Sequence, residues 1–279
     1  MSETILSDES FDRLVERILH PSQELKTKSN DELYEMSGLH DRYNACLWKM
    51  GQAAVKFDYR EASRQADCAL AIMCCGSRHP AAEQERLADQ LNWIGRYSDA
   101  RQVIICAVPV ETDNEERNYP ANWDKIWDYR TQILVQADLG QGDFDLAARD
   151  VEENKRYLNE DELDYFCGFI DMGISKYGDA ARRFSLRCAR YPKTTQWNRE
   201  LYWFKEWSET PATDGTGNLT LAKAMVKDLD SWAHRPNCCS PDLISELESI
   251  ENCMIKRENF DAASFIRMYI EGLRHSGHA

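Results

Sequence analysis

The sequence predicts an all-α chain, a right-handed α-solenoid of about six helix-turn-helix repeats behind an N-terminal capping helix. Three observations point there. Apolar residues recur at the three-and-four spacing of helices, with no convincing strand-like alternation. Only 13 Gly and 8 Pro punctuate 279 residues. An aromatic residue followed three positions later by alanine recurs along the chain, at spacings typical of paired-helix units.

The first helix is expected over about Asp8 to Leu19, ending at His20-Pro21, with a polar link running on to Ser29. Residues 1–43 are read as this cap and link, and residues 44–279 as the repeat domain. Ser29 followed by Glu32 has the form of a capping box, and Asn30-Asp31-Glu32 puts acid at the positive end of a helix dipole, so a helix should start there. The aromatic–alanine pairs are Tyr59 and Ala62, Tyr97 and Ala100, Phe144 and Ala147, Tyr177 and Ala180, and Phe260 and Ala263. Successive aromatics stand 38, 47, 33 and 83 residues apart. The last gap is twice a period of about 41, and its midpoint holds Leu219 and Ala222, read as a sixth copy.

Each aromatic follows a short polar turn, as in Lys56-Phe57-Asp58, Ile94-Gly95-Arg96 and Gln141-Gly142-Asp143. A ring at the turn covers the angle between two antiparallel helices, and a small alanine lets their backbones approach. Gly95 and Gly142 suit a helix end that must enter the left-handed region. Ala66 and Ala69, Ile104 and Ala107, and Val226 and Leu229 continue the inward stripe of the second helices. Two stretches interrupt the pattern and are expected as loops, Val110 to Asn122 and Thr210 to Asn218.

Leu87-Ala88-x-x-Leu91-x-x-Ile94-Gly95-Arg96-Tyr97-x-x-Ala100 resembles a tetratricopeptide repeat, as does Gly168 with Tyr177-x-x-Ala180-x-x-x-Phe184 and Pro192. Lys49-Met50-Gly51 ahead of Asp58-Tyr59-Arg60-Glu61-Ala62 is similar. Asn154 and Arg187 depart from the family pattern where a small residue is preferred, and Arg267 where a large apolar one is. The likeness covers about residues 44 to 275 and implies a tetratricopeptide-like (TPR-like) solenoid. Leu134 to Leu158 with Asp164 to Tyr191 also resembles the helical-repeat segment of proteasome-lid and signalosome subunits. The chain after Pro192 shows no strand pattern for the winged-helix module in which those subunits end.

Lys plus Arg number 34 against 48 Asp plus Glu, a formal charge of −14. That balance argues against direct binding of nucleic acid, because phosphate recognition needs clustered Lys and Arg. No run of about 18 apolar residues exists to cross a membrane, and the start Met1-Ser2-Glu3-Thr4 lacks the form of a secretory signal. With ten cysteines inside mostly helical patterns, an intracellular, reducing and most simply cytoplasmic location is expected.

Cys74-Cys75 with His79, and His234 with Cys238-Cys239, each gather three soft ligands. Adjacent cysteines chelate one ion poorly, so no metal and no cofactor is expected. No Gly-x-Ser-x-Gly, His-Glu-x-x-His or phosphate-cradling loop occurs, and no enzyme activity is expected. The carboxylate run Asn159-Glu160-Asp161-Glu162-Leu163-Asp164 reads as a helix start or solvated surface.

The expected function is a non-enzymatic scaffold or adaptor holding a peptide or helix of another protein, itself basic, in the superhelical groove. Two other readings stay open: an acidic inhibitor that blocks a DNA- or RNA-binding protein, and a structural subunit of a larger helical complex. In the family that the chain resembles, first helices line the inner groove, which singles out Asn92, Arg130, Gln132, Gln136 and Asp171. The segment with Trp197, Tyr202, Trp203, Phe204 and Trp207 is dense in rings that point more than one way, and Trp203 and Trp207 join the partner-binding candidates.

Overall fold

The computed structural model describes residues 38–74, 81–107, 123–190, 202–203, 205–206, 215–235, 238–239 and 243–275. The expected N-terminal helix, the helix start at Ser29, the insertion 110–122 and the rings of Trp197, Phe204 and Trp207 lie outside them. The described chain is all-helical. Its helices are α1 Leu39–Val55, α2 Tyr59–Cys74, α3 Ala81–Trp93, α4 Tyr97–Cys106, α5 Trp123–Gln141 and α6 Phe144–Asn154. They continue with α7 Glu160–Gly173, α8 Tyr177–Arg190, α9 Gly215–Ala233, α10 Leu243–Lys256 and α11 Phe260–His275. The one exception is a two-residue antiparallel bridge after α9, with His234 opposite Cys239 and Arg235 opposite Cys238. Helix α1 has its first residues, from Leu39, within the stretch read as cap and link.

Five hairpins share one turn. Phe57, Gly95, Gly142, Ser175 and Glu258 all take the left-handed conformation, with φ of 58°, 75°, 74°, 66° and 60°. Each stands two residues before the aromatic. Its N–H bonds back to the carbonyl three residues earlier and the next N–H to the carbonyl five earlier, as in Gly95 to Asn92 and Arg96 to Leu91. These bonds use helix-end carbonyls that would otherwise lack partners. The sequence flagged only the two glycines, because nothing in a side chain announces that Phe57, Ser175 or Glu258 accepts a strained φ. A left-handed residue with a Cβ costs about 1–2 kcal/mol. Ser175→Gly and Glu258→Gly are therefore each expected to raise stability by about 1 kcal/mol, read as a higher urea midpoint at unchanged slope.

Four hairpins, α1–α2, α3–α4, α5–α6 and α7–α8, pack side by side in chain order. Ala62, Ala100, Ala147, Ala180 and Ala263 are all buried, so the small positions sit where helices approach. The ring of one hairpin seats on the next. A Cβ built on Gly140 of α5 would lie 2.6 Å from Cδ1 of Tyr97, and one on Gly173 of α7 would overlap the ring of Phe144. Tyr59, Tyr97 and Phe144 are buried. Arg267, out of place in the family pattern, pairs with Glu251 of α10 at 2.6 Å.

Two expectations need correction. Leu219 and Ala222 do not follow a turn: α9 starts at Gly215, so both lie within one helix. A leucine and alanine three apart is also what any amphipathic helix shows. For the same reason the last four residues of the expected loop 210–218 are helical, and Asn218 is fully buried, donating to Asn259 Oδ1 at 3.0 Å.

The last hairpin does not extend the row; it lies across it. Helix α10 crosses the C-terminal ends of α3, α5 and α7. Asn252 Nδ2 donates to Gly140 O at 2.9 Å, Lys256 Nζ stands 5.9 Å from the Phe144 ring, and the Arg257 guanidinium lies 4.5 Å from the Tyr177 ring. Tyr97 donates its phenol proton to Glu248 Oε2 at 2.5 Å, and Arg274 holds the other oxygen at 2.7 Å. At the far end α11 reaches α2, and the His234 ring packs at a tilt against Phe57, 4.3 Å between centroids. Ile244, Leu247, Ile250 and Met254 of α10 are fully buried, each contributing roughly 1.5–3 kcal/mol. The strap is part of the core.

Candidate protein-binding face

Part-exposed polar side chains of the first helices α1, α3, α5 and α7 are tied to one another. Tyr43 donates to Glu83 O at 3.2 Å between α1 and α3, and His40 Nε2 stands 3.6 Å from Glu83 Oε1. Tyr129 of α5 donates to Asp89 Oδ2 of α3 at 2.9 Å. Gln132 Nε2 bridges Asp128 Oδ1 at 2.8 Å and Glu162 Oε1 of α7 at 3.1 Å. Glu162 is held by its own helix start: Asn159 Oδ1 accepts from the Glu162 N–H at 3.0 Å, and Glu162 Oε2 from the Asn159 N–H at 2.8 Å. That is a capping box built on asparagine.

The result is a strip of carboxylates, Asp89, Asp128 and Glu162, around Tyr129, which is 40% exposed. Burial pushes the Asp89 carboxyl up to about 6, against its bond from Tyr129. Burial also raises Glu162, with the neighbouring Asp128 adding to it.

The residues singled out from sequence fall in several places. Asn92 is fully buried and ties α3 to α5, its amide donating to Ile133 O at 2.9 Å. Arg130 is buried and caps α4, donating to Ala107 O, and to Ile104 O at 2.7 Å. Gln136 faces α10, donating to Ser245 Oγ at 3.3 Å. Asp171 is buried beside Arg183 Nε at 2.9 Å. Trp203 is half-buried and donates from Nε1 to Asp228 Oδ2 at 2.7 Å, while Trp207 lies outside the described residues. Gln132 alone of these lies on the strip. Sequence reading passed over Asp89, Asp128, Tyr129 and Glu162, although Asp128 and Gln132 share a helix face at i,i+4.

Other chemistry is accounted for locally. The run Glu160 to Asp164 starts α7 and pairs with α8: Arg187 with Asp161 at 3.5 Å, Arg190 with Asp161 and Asp164 at 3.2 Å, and Arg183 with Asp164 at 3.3 Å. Among the described residues no group of His, Cys, Asp and Glu could hold a metal ion. Cys75 and His79 lie outside them, and the His234 ring packs against Phe57. Burial pushes the Cys46 thiol up to about 11, which makes it a poor nucleophile. A cleft of about 20 Å³ between α5, α7 and α10, lined by Gln136, Tyr165 and Ser245 among others, has room for little more than a water. No helix among the described residues is long and apolar enough to cross a membrane.

These features define, among the described residues, an all-helical protein of packed hairpins, with a part-exposed acidic strip across three of its helices. No protein-family model, no curated protein and no solved structure matches the chain.

Proposed function

We propose that the chain is a non-enzymatic scaffold or adaptor that holds a basic segment of another protein, a peptide or a helix, against its first helices α3, α5 and α7. The observation that carries this reading is the strip of Asp89, Asp128 and Glu162 around Tyr129, on the wall that α10 leaves open. Asp89 and Glu162, held above their usual range by burial, gain from an incoming Lys or Arg. An exposed ring among them offers contact area with little entropy to lose. The shared turns and the ring-on-glycine seats support reading the row as a TPR-like solenoid, with five turns rather than six and the fifth hairpin laid across the others. The arginines paired with Asp161 and Asp164 weigh against nucleic-acid mimicry, which needs a one-sided stripe of unpaired carboxylates.

The test is capture from the native source on immobilised full-length protein, beside an Asp89→Asn, Asp128→Asn, Glu162→Gln variant that keeps the capping box. A basic partner retained at low salt, weakened at moderate salt and depleted on the variant is expected. An acidic partner indifferent to both salt and substitution would overturn the reading.

A further inference from the structure

Of the five turn aromatics, Phe260 is the uncovered one, 63% exposed against 5%, 6% and 4% for Tyr59, Tyr97 and Phe144. Tyr177 lies under the Arg257 guanidinium. The turn before Phe260 is the shared one, and Ala263 is buried like its counterparts. What differs is the seat. Tyr97 and Phe144 each rest on a glycine of the next hairpin's first helix, Gly140 or Gly173.

Helix α11 itself carries a matching seat. Phe260, Ser264, Met268 and Gly272 stand four residues apart, form one ridge of the helix surface and are all exposed. Met268 is 69% exposed, and nothing lies within 4 Å of where a Cβ on Gly272 would stand. Large and small residues alternate along the ridge. When two copies of α11 pair antiparallel about a two-fold axis between Ser264 and Met268, every large residue meets a small one. Phe260 then faces Gly272 of the other copy, and Met268 faces Ser264. Ridges of this spacing interdigitate at a crossing angle of about −50°. Such a self-complementary patch is what a two-fold dimer requires.

We propose that α11 is a self-association face whose occupant is a second copy of this chain, each Phe260 ring seated on the other copy's Gly272. The contact continues between chains the ring-on-glycine interface that already joins consecutive hairpins within one. A single helix pair is a small interface, so the dimer is weak, on the order of micromolar.

Sedimentation velocity on the full chain over a concentration series tests this, with Met268→Lys and Gly272→Gln alongside. Both positions are exposed, and thermal melts followed by circular dichroism verify that the variants fold. The wild type is expected to show a reversible monomer–dimer equilibrium, weakened about tenfold or more by each substitution. A wild type that stays monomeric throughout overturns the proposal, and so does a dimer that either substitution leaves unchanged.

Discussion

Gly173→Ala is expected to destabilise the protein by about 3 kcal/mol, although alanine is the better helix former by about 1 kcal/mol. The added Cβ would overlap the ring of Phe144, which is buried and pinned between α7 and the Lys256 end of α10. Neither ring nor helix end can give way without opening the seam between the third and fourth hairpins. The decisive comparison is the same substitution in a Phe144→Leu background. There the overlap is relieved, only the gain in helix propensity remains, and Gly173→Ala should become neutral or stabilising. Urea unfolding of the four proteins in this cycle measures the coupling. Additive effects would mean that ring and glycine do not form one seat. Gly140→Ala, beneath Tyr97, should behave in the same way.

The rings and alanines that recur along the sequence were legible because both sides of a hairpin constrain them: the ring must cover a turn and the alanine must admit a neighbour. Their seats were not. Gly140 and Gly173 follow no local rule, since the reason for each is a ring 43 or 29 residues away in the chain. Helix α10 shows the same limit more plainly. Its apolar periodicity announces a buried face, but nothing in that period says whether the face meets the next hairpin or returns to lie across earlier ones. Polar residues on first helices were read as lining a groove. Asn92 and Arg130 have the right composition for that and serve instead as internal ties, because a buried carbonyl such as Ile133 O or Ala107 O recruits whichever donor reaches it. The acidic strip rests on the packing of three helices. Sequence offered only pairs within one helix.

Between the second and third hairpins, Arg101 Nε stands 2.7 Å from Asp138 Oδ1, and its Nη2 stands 2.9 Å from Asp150 Oδ2, with Asp138 fully buried. One guanidinium cannot neutralise two buried carboxylates. Burial first, and the nearby Asp150 second, push the Asp138 carboxyl up to about 8. In the unfolded chain the same group titrates near 3.9. Between about pH 4 and pH 8 the folded protein therefore keeps a proton that the unfolded chain has released. Stability from this site is full below that window and is lost as pH rises through it, by at most about 1.4 kcal/mol per pH unit. Asp138→Asn keeps the shape, lets the amide donate towards Asp150 and leaves Arg101 one carboxylate. The variant should match the wild type near pH 4 and exceed it increasingly towards pH 8, as measured by urea unfolding at each pH. Other buried acids such as Asp89 titrate in both proteins, so the difference between the two curves isolates the Asp138–Asp150 pair. A difference that stayed flat with pH, or widened towards acid, would show that Asp138 is ionised in the folded protein and that Arg101 serves both carboxylates after all.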